Sequence, residues 1–548
     1  MRVGLSVSRT FAALLAARGF ADVEAARAFL DPRLADLTPP EAMADREAAA
    51  DRLAYAVRHR ERVVVFGDYD VDGITSCAIV TLAVRALGGE AVPILASRFD
   101  GGYGFSEAGL ARVLAASPGL VVTCDCGSSD HARLETLRAR GIDAVVIDHH
   151  LVPAEPLPVR AFLNPHRPEC GFPFKHLASC GLALSIAAAV RARLGVAYDL
   201  RPLLDLVALG TIADVAPLVG DNRALVRAGL ARISSAPRPG LEALSELAGI
   251  AAGASIGGEE IAFKFAPRIN APGRLGAPDA ALELLLEHDR TRARAIAASL
   301  DQACQTRREI ERRIFQEALA QIETTGQRDA PSIVVADRGW HAGVVGIVAS
   351  RLVDRFGVPT VVVALDGEHG PGSVRGPRGA RLHDALTASS SALLGFGGHQ
   401  AAAGVKLSAH GVEHFRACFA DACASLAAGA GPAIARARAE VELDPRDEPA
   451  AVVADFERLE PCGEGNAAAM VALLDVEVAN VRIVKDEHLR LMVRHGDRLL
   501  DAFAYGFADR APPRGARVDL VGALRRDTYR GRGAVELRMA AIEIRPAS

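Results

Sequence analysis

Three aspartates at alternate positions follow a short apolar run, and their spacing could support metal chemistry. The run, residues 63–66, reads Val-Val-Val-Phe and predicts a buried strand, and Asp68, Asp70 and Asp72 come soon after it. In an extended chain alternate side chains point the same way, so we expect these carboxylates to converge. Three neighbouring negative charges repel one another unless a cation lies among them, which favours a divalent metal site. The alternative interpretation is an acidic surface turn.

Two further apolar runs end in residues that can bind metals. Residues 121–124 lead into Asp125, and a second run leads into residues 148–150, Asp-His-His. Side chains at the carboxyl ends of parallel strands meet at one edge of an open α/β sheet, where such folds build their active sites. This repetition favours a metal site over a solvated turn.

Asp214 supplies a fourth acidic position, at the end of a mostly apolar helical run. A charge there is costly without a partner, although the residue could also be an ordinary helix-terminal polar group. Oxygen ligands with one imidazole favour Mn²⁺ or Mg²⁺ over zinc, and the carboxylates suffice for one or two ions that activate water at a phosphoryl group. His149 could be a core histidine, but its acidic and histidine neighbours favour a ligand. The candidate ligands are Asp70, Asp72, Asp125, His149 and Asp214.

Composition limits the possible functions. Of 548 residues half are hydrophobic and 24% charged, and the formal net charge is −4, so nucleic acid would have to be held by local arginines and bound metal. Nine cysteines without a C-x-x-C spacing argue against a disulfide framework and a zinc ribbon. No apolar run approaches the roughly 20 residues of a membrane helix, and no signal peptide is apparent. We therefore predict a cytoplasmic protein with no membrane partner.

Changes in periodicity divide the chain into five parts, and the predicted fold class is α/β with a C-terminal barrel. A long helix in the third part should connect the two α/β domains through an apolar face, with Arg307 and Glu311 mostly off that face. The predicted parts are a helical lead-in over residues 1–60, a parallel-sheet domain over 61–235, a helical region over 236–328, a smaller α/β domain over 329–430 and a small β-barrel over 436–548.

A predicted hairpin in the barrel combines basic and aromatic side chains. Tyr529 lies among Arg525, Arg526, Arg530 and Arg532. Arginines near an aromatic ring suit a single nucleic-acid strand, because they contact phosphates while the ring stacks on a base. The alternative is a solvated charged turn.

Four motifs resemble those of the DHH phosphoesterase superfamily: residues 67–73 (Gly-Asp-Tyr-Asp-Val-Asp-Gly), 124–127 (Cys-Asp-Cys-Gly), 148–150 (Asp-His-His) and 210–214 (Gly-Thr-Ile-Ala-Asp). Further segments are similar, in the same order, to the RecJ family of single-strand-specific exonucleases. They are residues 164–167 and 172–175, residues 267–274, the segments 341–351, 372–375 and 397–399 of a DHHA1-type domain, and residues 459–466 leading into an OB-type barrel. The resemblance spans nearly the whole chain.

This resemblance implies a 5′-to-3′ exonuclease that acts on single-stranded DNA in repair and recombination and releases 5′-mononucleotides with Mn²⁺ or Mg²⁺. It implies that Asp68 and His150 support the five candidate ligands, and that a helicase and a single-strand-binding protein are partners. It also implies a pocket for the 5′-phosphate and the strand. The residues assigned to that pocket are Arg98, Arg268, Arg274, Ser373, Arg375, Gly398 and His399.

Three positions depart from the family pattern. Phe66 stands where many DHH phosphoesterases have a histidine ligand, which would weaken binding of one ion, and Gly376 replaces a common serine. Cys124 and Cys126 flank Asp125, so softer metals or oxidation could interfere. Two other functions remain open: a DHH phosphodiesterase for short oligonucleotides or cyclic dinucleotides, and a non-catalytic DNA-binding scaffold on the same fold.

Overall fold

The computed structural model describes residues 1–99, 104–398, 402–427, 438–527 and 534–546. Four helices precede the first sheet: α1 (Arg2–Leu5), α2 (Arg9–Ala17), α3 (Val23–Leu30) and α4 (Arg46–Arg58). They do not form a unit of their own. Helix α4 packs in the core of the first α/β domain, whereas α1–α3 contribute Phe11, Leu14 and Leu15 to the core of the C-terminal barrel.

The first domain is a five-stranded parallel sheet with strand order β2-β1-β3-β4-β5. In β1 the side chains of Val63 and Val65 enter one apolar core, and those of Val64 and Phe66 enter the core on the opposite face. A strand covered on both faces is continuously apolar rather than alternating, which explains this run. The elements are β1 (Arg62–Gly67), α5 (Val71–Ala86), β2 (Glu90–Leu95), α6 (Glu107–Ala115), β3 (Leu120–Cys124), α7 (His131–Ala139), β4 (Asp143–Ile147), β5 (Ala161–Leu163), α8 (Ser179–Leu194), α9 (Leu204–Ala213) and α10 (Gly220–Ser235).

A helical region follows, and its last helix reaches the second sheet. At 1.5 Å per residue the 35 residues of this helix span about 52 Å. The region contains α11 (Pro239–Leu247), α12 (Gly258–Glu260), a π-helical turn (Ile261–Phe265), α13 (Ala266–Leu275), α14 (Asp279–Leu286) and α15 (Arg290–Thr324).

The predicted apolar face of α15 is confirmed, but the expectation for its charged residues is wrong. Ile314, Ala318 and Ile322 are fully buried against the second α/β domain. Arg307 and Glu311 are buried as well, and their side chains form an ion pair of 2.5 Å. Arg351 approaches the same carboxylate at 2.9 Å, so the charges compensate one another inside the interface.

The second domain is a mixed sheet with strand order β6-β7-β8-β10-β9, in which only β6 and β7 pair in parallel among the described strands. Its elements are β6 (Ile333–Asp337), α16 (Val345–Phe356), β7 (Thr360–Ala364), β8 (His369–Arg375), α17 (Leu382–Ala388), β9 (Gly395–Gly398), β10 (Ala402–Ser408) and α18 (Val412–Ala427).

The C-terminal domain is a five-stranded barrel. It is closed because its first strand, β12 (Val471–Val484), pairs with both β13 (His488–His495) and β15 (Arg517–Arg526). This architecture confirms the predicted fold class. The elements are β11 (Val441–Glu442), α19 (Pro449–Glu457), β12 (Val471–Val484), β13 (His488–His495), β14 (Arg498–Ala504), β15 (Arg517–Arg526) and β16 (Val535–Ile544). Within the residues given above, no helix combines the length and apolar character needed to cross a membrane.

One arginine of α10 joins the first domain to the N-terminal helices and to the segment that leads into the barrel. The side chain of Arg223 is 1% exposed, and its guanidinium lies 4.1 Å from the ring centroid of Phe29. All five N–H donors of a guanidinium are used here, each on a backbone carbonyl. The acceptors are Phe29 (2.7 Å), Arg458 (3.2 Å), Leu459 (2.7 Å), Glu460 (3.2 Å) and Pro461 (3.2 Å).

Candidate active site

The first acidic motif lies where β1 turns into α5. Asp68 follows the strand, Asp70 caps α5 by accepting the N–H of Gly73 at 3.1 Å, and Asp72 lies in the first helical turn. The carboxylates do converge, and Asp70 has an extended backbone, but the extended conformation we expected is wrong for Asp72, because the helix begins at Val71. The tight turn requires Gly73, where a Cβ would lie 2.5 Å from the backbone oxygen of Asp68.

The other predicted ligands come from three separate segments and meet the first motif. Asp125 follows β3, His149 and His150 follow β4, and Asp214 ends α9. Three groups of ligand atoms each lie within 4.8 Å of one another. The groups are Asp68, Asp70 and Asp125; Asp72, His149 and Asp214; and Asp125, His149 and His150.

The N-terminus of α8 holds two of these carboxylates in place. The backbone N–H groups of Ser179 and Cys180 donate to the two oxygens of Asp72 at 2.7 and 3.0 Å. The Ser179 hydroxyl donates to Oδ1 of Asp125 at 3.1 Å. Unpaired N–H groups at a helix start favour a carboxylate. Ser179 is a site residue that the sequence reasoning missed, because only the fold brings α8 to this point.

Asp148 orients the two histidines and was also absent from the predicted set. Its Oδ1 accepts the backbone N–H of His149 at 2.8 Å and lies 2.7 Å from Nδ1 of His150. Burial opposes the charge on each group, but their mutual attraction lowers the pKa of Asp148 and raises the pKa of His150 to about 9. The Asn164 amide donates to the carbonyl of His150 at 2.8 Å and fixes the same turn.

Burial and mutual repulsion oppose ionisation of the acidic cluster. Burial and then the charge of Asp70 raise the pKa of Asp68 well above its usual range. Burial and then the charges of Asp72 and Asp70 do the same to Asp125, and they raise the pKa of Asp214 to about 8. Several buried carboxylates that repel one another are unfavourable without a bound cation, and they are typical of sites that bind cations.

The donor set fits Mn²⁺ or Mg²⁺. Two buried atoms, Oδ2 of Asp68 and Nε2 of His149, have no hydrogen-bond partner among the residues that the structure describes, although Oδ1 of Asp125 lies 3.2 Å from that nitrogen. Buried polar atoms are nearly always satisfied, so these two indicate a missing partner. Asp125 and His149 each belong to two of the three groups, so two adjacent ions would share ligands.

Replacing Gly210 with alanine should disable this centre without touching a ligand. A Cβ at this position in α9 would lie 2.4 Å from the Thr75 hydroxyl and 2.9 Å from Oδ1 of Asp72. The helix must then shift, and a displacement of about 1 Å can reduce turnover by roughly a hundredfold. Circular dichroism should show a folded protein while initial rates fall. Wild-type turnover in a folded variant would contradict the tight packing.

A group of arginines lies beside the acidic cluster. The guanidinium of Arg98 stacks over the ring of Tyr69, with its Cζ 4.6 Å from the centroid. Burial and the charge of Arg98 lower the pKa of Arg274 to about 10 and lower the pKa of Arg375. Arg274 and Arg375 donate to backbone carbonyls of Gly343 and Val374, and Nε of Arg98 has no hydrogen-bond partner among the described residues. The charges of Asp68 and Asp70 act on Arg98 and Arg274, but none of the three arginines forms an ion pair with a described acidic group. Guanidinium groups without an ion-pair partner suit phosphate.

Ser373 and Arg375 meet the N-terminus of α16. A Cβ at Gly346, in the first turn of that helix, would lie 3.2 Å from the Ser373 hydroxyl and 3.3 Å from Nη2 of Arg375. A helix N-terminus adds partial positive charge to the arginine pocket. Gly398 pairs with Ala403, which pairs with Val374, so Gly398 lies two strands from β8.

The assignment of Arg268 to the substrate is not supported. Its guanidinium donates to Asp301 at 2.7 Å and to the carbonyl of Lys264 at 2.7 Å, and the residue is 9% exposed. The structure therefore gives Arg268 a structural ion pair between α13 and α15. The motif placed it near Arg274, but the two residues are six positions apart on α13, so their side chains leave the helix in different directions.

Three assigned residues, His399, Tyr529 and Arg530, lie outside the described residues. On the described part of that predicted hairpin, Arg526 pairs with Glu457 at 2.6 Å and Arg525 approaches Glu536 at 3.5 Å. These ion pairs are consistent with the alternative of a charged surface.

The structure also shows what surrounds the residues that depart from the family pattern. Phe66 packs against Phe105 with ring centroids 4.9 Å apart, on the face of the sheet covered by α6 and α7. Cys124 and Cys126 are fully buried, and burial raises the pKa of each thiol well above its usual range. A buried neutral thiol reacts slowly, so the expected sensitivity to oxidation is not supported.

A cleft of about 740 Å³ adjoins Asp214 and is bounded by the first domain, the helical region, the second domain and the segment before the barrel. Val215 lines it from the first domain, Phe263 and Arg274 from the helical region, Ile347 from the second domain and Cys462 from the segment before the barrel. Val215 is 63% exposed and Phe263 is 70% exposed. Exposed apolar side chains beside a polar centre are typical of binding clefts.

The parallel sheet, the acidic centre at its carboxyl edge and the second mixed-sheet domain together define a DHH-type phosphoesterase. Sequence comparison agrees: the DHH family N-terminal domain matches residues 62–211, the DHHA1 domain matches 330–425 and the RecJ OB domain matches 439–541. The chain belongs to the RecJ family of single-stranded-DNA-specific exonucleases.

That membership rests on full-length relatives. The chain is 37% identical over 517 residues to RecJ of Dickeya dadantii, covering 89% of this chain and 88% of the relative. It is 35% identical over 530 residues to RecJ of Escherichia coli, covering 91% and 90%. Among solved structures, RecJ of Thermus thermophilus in complex with Mn²⁺ superposes with a TM-score of 0.85 at 31% identity, covering 100% of this chain and 77% of that chain.

Proposed function

We propose that this protein is a metal-dependent 5′-to-3′ exonuclease that degrades single-stranded DNA and releases 5′-mononucleotides. The observation that carries the proposal is the position of the acidic centre next to three arginines that form no ion pair with a described acidic group. The first group suits cations, and the second suits a terminal phosphate. The relatives that carry the RecJ name are described as specific for single-stranded DNA.

The acidic centre would hold one or two Mn²⁺ or Mg²⁺ ions, as the Thermus thermophilus structures contain. When bound, these ions would lower the pKa of water and neutralise charge on the scissile phosphoryl group. Asp72 and Asp125 are held by α8, and the histidine turn is held by Asp148 and Asn164, so the protein keeps the ligands oriented before substrate arrives. The proposed ligands are Asp68, Asp70, Asp72, Asp125, His149, His150 and Asp214.

The arginine pocket would determine the direction in which the strand is degraded and the length of the released product. A 5′-phosphate bound by Arg98, Arg274, Arg375 and Ser373 would leave the next phosphodiester beside the acidic centre, because Arg98 covers the ring of Tyr69, which lies between Asp68 and Asp70 in the sequence. Each cycle would then remove one nucleotide from the 5′ end. The strand would leave through the apolar cleft, where unpaired bases can contact Val215 and Phe263.

A single digestion series tests the proposal. Single- and double-stranded oligonucleotides labelled at either end are incubated with Mn²⁺, with Mg²⁺ and with a chelator. We expect mononucleotides to appear first from the 5′ end of single strands, only when a divalent ion is present. Preference for a dinucleotide would instead support the short-oligonucleotide phosphodiesterase, and binding without cleavage in Mn²⁺ would support the scaffold.

Arg375→Ala should reduce the preference for a 5′-phosphorylated strand over a 5′-hydroxyl strand by roughly tenfold, since a charge-assisted pair is lost. The readout is the ratio of kcat/KM on the two substrates. Arg268→Ala is the matched control, because its charge is already paired with Asp301, and its ratio should equal that of the wild type. Equal losses on both substrates in Arg375→Ala would contradict the pocket assignment.

Gly398, His399, Tyr529 and Arg530 remain proposed contacts for the strand. A helicase that unwinds duplex and a single-strand-binding protein remain proposed partners, and a cytoplasmic location remains a prediction. Stimulation of duplex degradation by an added helicase would support the first partnership.

A further inference from the structure

Phe99 is a large apolar side chain next to the arginine pocket that has no role in the proposed chemistry. It follows Arg98 directly and is 48% exposed. A single exposed aromatic ring is common on protein surfaces. Phe99 differs from such isolated rings in its contacts with His341 and with the backbone at Gly276.

A short chain of contacts connects Phe99 to the acidic centre. Asp68 and Asp70 flank Tyr69, the guanidinium of Arg98 covers the ring of Tyr69, and Phe99 is the next residue. Phe99 is therefore the immediate neighbour of a proposed phosphate-binding arginine.

The ring is held from two sides, which leaves the remainder free for a ligand. A Cβ at Gly276 would lie 3.6 Å from Cδ2 of Phe99, so the ring packs on the backbone at the end of α13. His341 contacts it edge to face, with ring centroids 5.8 Å apart at 72°. A rigid aromatic ring loses little conformational freedom when it stacks on a base.

Gly343 contacts both His341 and a pocket arginine. The N–H of Gly343 donates to Nδ1 of His341 at 3.1 Å, so the neutral ring carries its proton on Nε2. Burial lowers the pKa of His341, which keeps the ring neutral at physiological pH. The carbonyl of Gly343 accepts from Arg274 at 3.3 Å, so the backbone of one residue positions a pocket arginine and the partner of Phe99.

We propose that Phe99, positioned by His341, is the stacking platform for the base of the 5′-terminal nucleotide. The inference rests on the proposed exonuclease function and names a subsite of that site. Stacking does not distinguish among bases through hydrogen bonds, because every base has a π-face, so the subsite accepts all four. It requires an unpaired base, which adds to the discrimination against duplex ends.

The test compares two 5′-phosphorylated strands that differ only at the terminal nucleotide, which carries a base in one and a tetrahydrofuran abasic analogue in the other. In the wild type, kcat/KM for the first cleavage should be about tenfold lower on the abasic strand. Phe99→Leu should cleave both strands at the lower rate and keep its preference for a 5′-phosphate. Phe99→Trp should restore the difference between the strands.

Tyr55→Leu is the matched control, because Tyr55 is also a half-exposed ring in contact with a histidine, His59, on a helix before β1. It should retain the full tenfold difference. The Phe99 assignment is overturned if the wild type cleaves both strands equally, or if Phe99→Leu discriminates as well as the wild type does. If no strand is cleaved in the presence of Mn²⁺, both the proposed exonuclease function and this subsite are wrong.

Discussion

Replacing Asp125 with asparagine is expected to reduce turnover on the order of a thousandfold while single-strand binding persists. Asp125 belongs to two of the three ligand groups, so its replacement removes a charged ligand from both of them. Metal ions supply several kcal/mol of transition-state stabilisation, and each 1.36 kcal/mol is a factor of ten in rate. Pre-steady-state cleavage in Mn²⁺ and fluorescence anisotropy with a labelled strand separate the two properties.

The same substitution should stabilise the protein when metal is absent. Because the folded-state pKa of Asp125 is raised, its carboxyl opposes folding above the unfolded pKa of about 4, and this penalty grows as pH rises. The metal-free variant should therefore unfold at a higher temperature than the wild type, with a larger gain at neutral pH than near pH 4. Added Mn²⁺ should stabilise the wild type more than the variant.

Asp205→Asn provides the comparison for Asp125. This aspartate is also buried, on α9, but it pairs with Arg238 at 2.6 Å. Its replacement should lower stability and leave the turnover of the folded protein intact. If Asp125→Asn cleaved DNA at the wild-type rate, the acidic cluster would not be the catalytic centre.

Replacing Arg223 with methionine should have the largest effect on stability. Methionine fills much of the same space but leaves five buried carbonyls without their donor, and each buried unsatisfied group costs about 1–3 kcal/mol. Some carbonyls retain the side-chain amide of Asn466, which donates to Leu459 and Pro461. We therefore expect a loss of at least about 3 kcal/mol, measured by urea unfolding.

The loss should appear first where the barrel meets the first domain. Limited proteolysis should release the barrel at lower urea concentration than in the wild type. Cleavage of a 5′-phosphorylated trinucleotide should persist, because the acidic centre and the arginine pocket do not include Arg223. Arg227→Met, one turn further along α10, is the control: Arg227 is only partly buried and contacts Leu30 and Asp31. Similar losses in both variants would contradict a special role for Arg223.

Much of the centre could be predicted from sequence because its ligands follow local rules. An apolar run that ends in an acid marks the carboxyl end of a buried strand, and parallel strands place such ends side by side. Asp68, Asp70, Asp125, His149 and Asp214 were found in this way or through the family motifs. The motif spacing could not reveal that Asp72 belongs to a helix, because the turn at Gly73 depends on close packing against Asp68.

The residues that hold the ligands were not predictable, since their partners are distant in sequence. Ser179 lies 54 positions from Asp125, and Arg223 lies 235 positions or more from its carbonyl partners before the barrel. Charge misled the expectation for Arg307 and Glu311, and the family motif misled the assignment of Arg268. A charged residue on a helix suggests an exposed face, but ion pairs within a helix and across two helices allow burial.

The packing of α1–α3 into the barrel has a consequence for biosynthesis. A ribosome makes Phe11, Leu14 and Leu15 long before the barrel strands that cover them. Those apolar side chains must therefore stay uncovered until the barrel strands have been translated, and this core cannot form one domain at a time.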